Sequence, residues 1–397
     1  MSEPCSSPWL TIIGIGEDGL AGLSEASRKA LDRAETVFGG ERHLKLADID
    51  DRGKPWPVPF DASCVLAKRG RPTAVLASGD PFWHGAGGSL AAQLSPDEWI
   101  AHPSPSTFSL AASRLGWPLE SAVCIGLHAA PFERLVPLLA CGARIICLVR
   151  DAKAGSDLAT WLTARGFGPS RVWTLSALGG PRERVIKSSA DTYASDPVTS
   201  PVAVAIEADG AQGLPRASGL SDDLFQHDGQ ITKRPVRALA LSALAPRPGE
   251  RLWDIGAGSG SISIEWALAG GSAIAIEARE DRAGNIRANA EAFGVAHKIN
   301  VVIASAPAAL ASLEKPDAVF IGGGLDSAML DSIWQLIPAG ARLVAHSVTL
   351  ETEALLADLQ RKHGGDLMRV EISHVAPLGS FRSWEASRPV VQWSVVK

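Results

Sequence analysis

The sequence predicts an α/β protein of two domains, and three observations predict it. Short apolar runs alternate with helical stretches along the chain, the pattern of parallel sheets covered on both faces. The chain has 397 residues, more than one hydrophobic core usually serves, so two domains of about 200 residues are expected. A stretch rich in Ala, Gly, Pro and Ser, from Glu207 to about Leu220, separates two such patterns. The expected domains are therefore 1–210 and 211–397.

In the first domain Leu10–Ile13 is a short apolar strand that runs into Gly14-Ile15-Gly16. Ser24 is placed to cap a helix that reaches Arg33. Thr73–Ala77 is a buried strand followed by Ser78-Gly79-Asp80-Pro81. Ser106–Leu115 is helical and stops at Gly116. Arg144–Val149 is the most apolar strand of this half, Asp157–Arg165 is a helix closed by Gly166, and Pro201–Ile206 is the last strand. In the second domain Arg251–Ile255 is a strand, Ser261–Leu268 a helix and Ala273–Glu277 a strand. Asn300–Ile303, Ala318–Ile321 and Arg342–Ala345 supply three more strands. Two β-rich segments, Leu367–Val375 and Val390–Val396, end the chain.

Composition excludes several classes. Apolar residues are 46% and charged residues 20% of the chain, an ordinary globular balance. A net charge of −5 does not suit a nucleic-acid binder or a protein docked on an anionic membrane. No apolar run is long enough to span a bilayer, and the run from Trp9 to Ile15 lacks the basic flank of a signal peptide. Cys5, Cys64, Cys124, Cys141 and Cys147 form no C-x-x-C pair. They read as reduced thiols packed as small hydrophobes, which implies a cytoplasmic protein. The nine histidines show no metal-ligand spacing, so no metal is expected.

The sharpest chemical signal is Asp254-Ile255-Gly256-Ala257-Gly258-Ser259-Gly260, between a strand and a helix. Glycines there let the backbone adopt positive φ and approach a ligand. A dinucleotide fingerprint would read G-x-G-x-x-G, but position 261 is Ser. Asp254 would repel a pyrophosphate and suit an ammonium or sulfonium. Glu277, at the end of the next strand, can accept the hydroxyls of a ribose. Ala306 ends the third strand, where an adenine would lie. Ligands of open α/β sheets bind at the carboxyl ends of strands, so these pieces converge. Taken alone, the glycines could be only a tight turn.

The second half, from Asp223, resembles the methyltransferase module of cobalamin biosynthesis. Gln230-Ile231-Thr232-Lys233, the glycine loop, Asp317-Ala318-Val319-Phe320-Ile321-Gly322-Gly323-Gly324 and Val348-Thr349-Leu350-Glu351 carry the likeness. It implies a Rossmann-like class I methyltransferase fold that uses S-adenosylmethionine, with Thr232 near the methionine part and Gly322 in the site. The first half resembles the tetrapyrrole methylase superfamily through Gly14-Ile15-Gly16, Leu76–Gly85, Pro105–Phe108, Ala111–Gly116 and Ser176-Ala177-Leu178-Gly179. That likeness implies two α/β subdomains with the donor in a cleft lined by Gly14, Gly79, Asp80, Thr107 and Leu178. Two modules in this order resemble the precorrin-6Y C5,15-methyltransferase (decarboxylating) family. Three departures fall on substrate contacts: Glu17-Asp18 where relatives commonly have Pro-Gly, Gly126–Ala130 where they show Ser-Leu-His-Gly-Arg, and His346-Ser347 where Asn-Ala is usual.

The implied reaction puts methyl groups on C5 and C15 of precorrin-6Y and removes the C12 acetate carboxyl, giving precorrin-8. By resemblance, residues 211–397 methylate C15 and decarboxylate, and residues 1–210 methylate C5. The donor is already activated, so positioning supplies most of the catalysis. The substrate is a polycarboxylate, and Lys233, Arg234 and Arg237 are candidates to bind it, with His346 beside them and His128 and Asp80 in the first domain. Asp80 reads equally well as a turn residue, and His346 as a satisfied strand end. Relatives of both modules tend to be oligomers, so a homo-oligomer is expected. Three rivals stand: an NAD-linked oxidoreductase, an RNA or other small-molecule methyltransferase, and a single active domain beside a non-catalytic tetrapyrrole-binding module.

Overall fold

In a computed structural model of the chain, residues 8–194 and 198–397 are described. Cys5 lies outside the described residues. The chain divides into two compact units: residues up to Phe132 with Leu138–Gln212, and Glu133–Pro137 with Gly213–Lys397.

The first unit holds two sheets. Strands β1 (Leu10–Ile15), β2 (Thr36–Gly39), β3 (Gly53–Pro55), β4 (Thr73–Ser78) and β5 (Trp99–His102) lie in the order β3-β2-β4-β1-β5, all parallel. Alternate residues of β1 enter two different cores: Leu10 and Ile12 pack with Phe38, Val75 and Leu90, Ile13 and Ile15 with Leu31, Val37 and Leu76. Helices α1 (Glu25–Arg33), α2 (Glu41–Leu46), α3 (Ser63–Leu66) and α4 (Ala86–Ala91) are interleaved with these strands. Ser24 accepts the Ser27 N–H and caps α1 as expected.

The second sheet corrects an expectation. Strands β6 (Val123–Gly126), β7 (Arg144–Leu148), β8 (Arg171–Ser176), β9 (Arg184–Ser189) and β10 (Val202–Glu207) lie in the order β6-β7-β10-β8-β9. Only β6 and β7 are parallel; β10 runs antiparallel to both β7 and β8, and β8 to β9. The alternation of apolar runs and helices predicts parallel strands throughout, β10 included. A strand buried on both faces is apolar whichever way its neighbours run, and Val202–Ile206 are all buried. Helix α5 (Thr107–Leu115) is capped by Ser106 and stopped by Gly116 in the left-handed region. Helix α6 (Ala154–Ala164) starts before the expected Asp157, because the Asp151 carboxylate accepts the Lys153 and Ala154 N–H groups.

The second unit is one seven-stranded sheet with a separate hairpin. Strands β11 (Arg251–Ile255), β12 (Ser272–Glu277), β13 (Ile299–Ile303), β14 (Ala318–Ile321), β15 (Arg342–Ser347), β16 (Asp366–Val370) and β19 (Val390–Val396) take the order β13-β12-β11-β14-β15-β19-β16. The first five are parallel, and β19 is antiparallel to its neighbours. Helices α7 (Arg234–Leu244), α8 (Ser261–Leu268), α9 (Glu280–Ala292), α10 (Ser327–Leu336) and α11 (Leu350–His363) surround it. Trp253 and Trp393 fill one face and Leu252, Trp266 and Phe320 the other. The expected β segment Leu367–Val375 is two strands in different sheets: it breaks after β16, and β17 (Ser373–Leu378) pairs with β18 (Phe381–Ala386). Phe381 and Trp384 are 77% and 72% exposed on that hairpin. Among the described residues no helix is long and apolar enough to cross a membrane.

The linker is shorter than expected. Glu207 still belongs to β10 and pairs with Arg144 and Arg171, while Gly219 and Leu220 donate their N–H groups to buried Glu265. Gln212, Gly213 and residues Pro215–Ser218 are exposed between these anchors.

Candidate functional site

In the second unit the strand ends bring the predicted residues together. Gly256, Gly258 and Gly260 hold φ of 69°, 59° and 74°, so the turn from β11 into α8 needs glycine at each. At Gly260 a Cβ would also meet Ile286 at 2.8 Å, whereas at Gly256 it would meet nothing within 4 Å. The open face of Gly256 is thus a place where a ligand can approach the backbone. Gly322, at the end of the neighbouring β14, sits beside the Gly256 carbonyl. The segment carrying Thr232 lies over the loop, with the Gln230 carbonyl against Gly258. Ala306 follows β13, whose end is tied to β12 by the Ala304 N–H donating to the Glu277 carbonyl at 3.1 Å.

The electrostatics of the loop decide what it can hold. Gly256 and Ala257 donate their N–H groups to the Ile276 carbonyl, and Gly258 donates to the Glu277 carboxylate at 2.9 Å. The first three amides of the loop are therefore already spent on the protein. Two buried carboxylates stand behind the loop. Glu277 also accepts the Arg279 N–H at 3.0 Å. Asp254 accepts the Ser263 N–H at 3.2 Å and hydroxyl at 2.7 Å, so it fastens the first turn of α8. Burial first, and then the Glu277 charge, push Asp254 up to about 6 against the lowering effect of the Ser263 bonds. A loop with this potential favours a cationic ligand and disfavours an anionic one.

Two candidates are corrected. Arg237 is fully buried, and its guanidinium donates to Glu265 at 2.6 Å, to Asp222 at 3.0 Å and to the Thr232 and Leu220 carbonyls. It also lies over the Phe225 ring. It holds the donor-loop segment in place and has no face for a substrate. His346 is buried on β15, with Nε2 2.9 Å from the Gln392 carboxamide oxygen and its ring edge-on to Phe320; burial lowers its pKa. It is a satisfied strand-end side chain. Lys233 and Arg234 remain exposed at the start of α7, with Lys233 Nζ 3.8 Å from Asp222. Asn289 went unnoticed in the sequence because nothing marks a single Asn on a helix. It is buried, donates to the Ser259 and Gln226 carbonyls and accepts the Gln226 N–H, stitching the loop to the segment above it.

In the first unit a cleft of about 520 Å³ opens beside the ends of β4 and β7, lined in part by His43, Ser78, His84, Thr107, His128 and Leu148. That volume suits a cofactor-sized ligand. Gly14 and Gly79 approach backbone to backbone; a Cβ on Gly14 would lie 1.8 Å from the Gly79 carbonyl. Asp80 accepts the Phe82 N–H at 2.9 Å, the turn role foreseen for it. Leu178 is buried in the core with Ile146 and with Phe108, which lines the cleft. His128 is exposed on the cleft wall, edge-on to His84. The sequence did not mark His43, which Arg42 and burial hold down at about 4, or the cluster behind it. In that cluster Glu17 is buried and paired with both Arg42 and Arg182. Cys147 is buried, and burial pushes its thiol up; Cys141 is exposed, unlike the small buried hydrophobe expected. Among the described residues no cluster suits a metal ion.

Comparison with known proteins finds one family model in each half of the chain. The profile described as "Precorrin methyltransferase domain" matches residues 223–397, and that described as "Tetrapyrrole (Corrin/Porphyrin) Methylases" matches residues 9–194. A precorrin-6Y C(5,15)-methyltransferase (decarboxylating) from Sinorhizobium sp is 47% identical over 407 aligned positions, covering 100% of this chain and 98% of that one. One of the same description from Mycobacterium tuberculosis (strain CDC 1551 / Oshkosh) is 40% identical, covering 98% of this chain and 100% of that one. The crystal structure of the C-terminal domain of precorrin-6Y C5,15-methyltransferase from Rhodobacter capsulatus is 53% identical, with TM-score 0.46, over 46% of this chain and 100% of that one. With matches of this identity along its whole length, the chain belongs to the family of decarboxylating precorrin-6Y C5,15-methyltransferases.

Proposed function

We propose that the chain binds S-adenosylmethionine in two separate places, one in each unit, and uses them to methylate precorrin-6Y at C5 and C15 with loss of the C12 acetate carboxyl. The observation that carries this reading is the glycine loop of the second unit. The Gly256, Ala257 and Gly258 amides are taken by Ile276 and Glu277, the open face is at Gly256, and two buried carboxylates stand behind the loop. Such a cradle fits a sulfonium donor with a ribose and does not fit a dinucleotide. The donor, when bound, supplies an activated methyl group. The protein's part is to place that group against an electron-rich ring carbon and to exclude water. Glu277 keeps one side of the loop rigid, and Asp254 holds α8 in register with it.

In the first unit the cleft bounded by Thr107 would take the second donor. Two clefts answer a geometric need, because one pocket does not easily present two distant ring carbons to a single donor. Lys233 and Arg234, at the mouth of the second site, are placed to hold an acetate for loss of carbon dioxide. Residues 211–397 alone, given precorrin-6Y and donor, should yield a singly methylated and decarboxylated product by mass analysis. Adding residues 1–210 should add one methyl group. A second methyl added by 211–397 alone, or carbon dioxide release that needs the first half, would overturn the scheme. A single donor site per chain would favour the non-catalytic reading of the first unit.

The reading extends to setting. The chain acts in the cytoplasm as a homo-oligomer, and the exposed Phe381 and Trp384 of the β17–β18 hairpin support the second point.

A further inference from the structure

We propose that Arg42 and Arg182, organised by buried Glu17, form a subsite at the rim of the first unit's cleft that takes a side-chain carboxylate of the tetrapyrrole. The proposal rests on the reading that this cleft accepts the tetrapyrrole.

Glu17 follows β1 and its side chain is only 5% exposed. One carboxylate oxygen pairs with Arg42 of α2, the other with Arg182 of the β8–β9 connection at 3.1 Å. Two guanidiniums thus share one carboxylate, which leaves a positive charge uncancelled. The acids next to Glu17 and Arg182 in the chain are placed elsewhere. Glu183 is taken by Arg114, which meets it through two N–H groups, and by the Gly179 N–H at 2.6 Å. The Asp18 carboxylate packs against its own turn at Gly16 and Gly22. His43 is neutral.

Arg42 is tied to the cleft wall itself. Its Nη2 donates to the Ser78 hydroxyl at 2.7 Å and to His43 Nε2 at 2.9 Å, and both residues line the cleft. Arg42 is therefore fixed in orientation, while Arg182 remains 56% exposed with N–H groups to spare. A buried acid that holds one guanidinium against the cleft wall and a second beside it makes an anion easier to bind than two free side chains would, since their ordering is already done. A donor also carries a carboxylate, so the test must separate the two ligands.

The test measures turnover of precorrin-6Y by the full chain, resolved by product mass, together with donor affinity by calorimetry and thermal stability. In Arg182→Gln the second methyl group should appear only at higher substrate, with KM for that step raised about tenfold and kcat, donor affinity and stability unchanged. Arg182→Lys, which keeps the charge and loses the fork, should fall between. Glu17→Gln is the sharper variant: it adds net positive charge, so attraction by charge alone would lower KM, whereas loss of an organised subsite raises it. Unchanged KM in Arg182→Gln, or a fall in KM in Glu17→Gln, would overturn the subsite. So would a loss of donor affinity or of stability that accounts for the KM change, which would make the cluster a donor contact or a structural bridge. If the wild-type chain instead adds only one methyl group, it is the reading of the first unit that fails, and the subsite with it.

Discussion

At the scale of single residues, partners decided roles that residue type left open. Arg237 and Arg42 are both arginines, yet one is enclosed by Glu265, Asp222 and two carbonyls and the other is bonded to His43 and Ser78 of a cleft wall. Breaking a buried pair costs about 3–5 kcal/mol, so replacing Arg237 would report on folding and not on chemistry. His43 offers a pH test. Its folded pKa is about 4 against 6.5 unfolded, from burial first and the Arg42 charge second. The unfolded chain therefore binds this proton more readily, and stability of the first unit falls as pH drops from about 6.5 to about 4, then levels. The full shift corresponds to about 3 kcal/mol. His43→Gln should flatten that part of a Tm-against-pH curve, followed by Trp fluorescence; an unaltered slope would show that His43 does not titrate as described.

At the scale of elements, the β11–α8 turn separates glycines kept for folding from glycines kept for ligand. Both Gly256 and Gly260 hold positive φ, so alanine at either costs about 1–2 kcal/mol of backbone strain. At Gly260 the added methyl also strikes Ile286 of α9, while at Gly256 it points into open space. Gly260→Ala should lower the unfolding midpoint of the second unit by clearly more than Gly256→Ala. Gly256→Ala should be the variant that loses donor affinity while losing no more stability than the strain alone accounts for. Equal stability losses with donor binding retained in Gly256→Ala would remove that face from the site. The β17–β18 hairpin shows the opposite case, in which an element has no buried face within the described chain and so left no alternating pattern to read.

At the scale of the whole molecule, the exposed stretch around Pro215–Ser218 is one of the places where the chain passes between two units, each with its own sheets and cores. Arg216 is exposed within it, whereas the backbone on either side is held by β10 pairing and by Glu265. Brief trypsin treatment should cut first after Arg216 and leave two fragments that each unfold cooperatively. Early cleavage elsewhere, or fragments that are degraded at once, would count against independent units.

The sequence by itself determined the α/β class, strands β1 and β4 of the first sheet, the five parallel strands of the second unit, the cap at Ser24, the helix stop at Gly116, and the glycine loop with Asp254 and Glu277. These are local matters: apolar runs, capping side chains and positive φ are settled by neighbours a few residues away. Only the tertiary structure decided strand direction in the second sheet, where β10 is buried on both faces and carries no mark of orientation. It alone decided that Arg237 and His346 are enclosed, that Leu178 is buried with Phe108, and that Glu17 gathers Arg42 and Arg182 from far along the chain. The physical reason is the same each time: whether a polar or charged side chain is a ligand or a strut depends on which partners long-range packing brings to it, and residue type and spacing do not encode those partners.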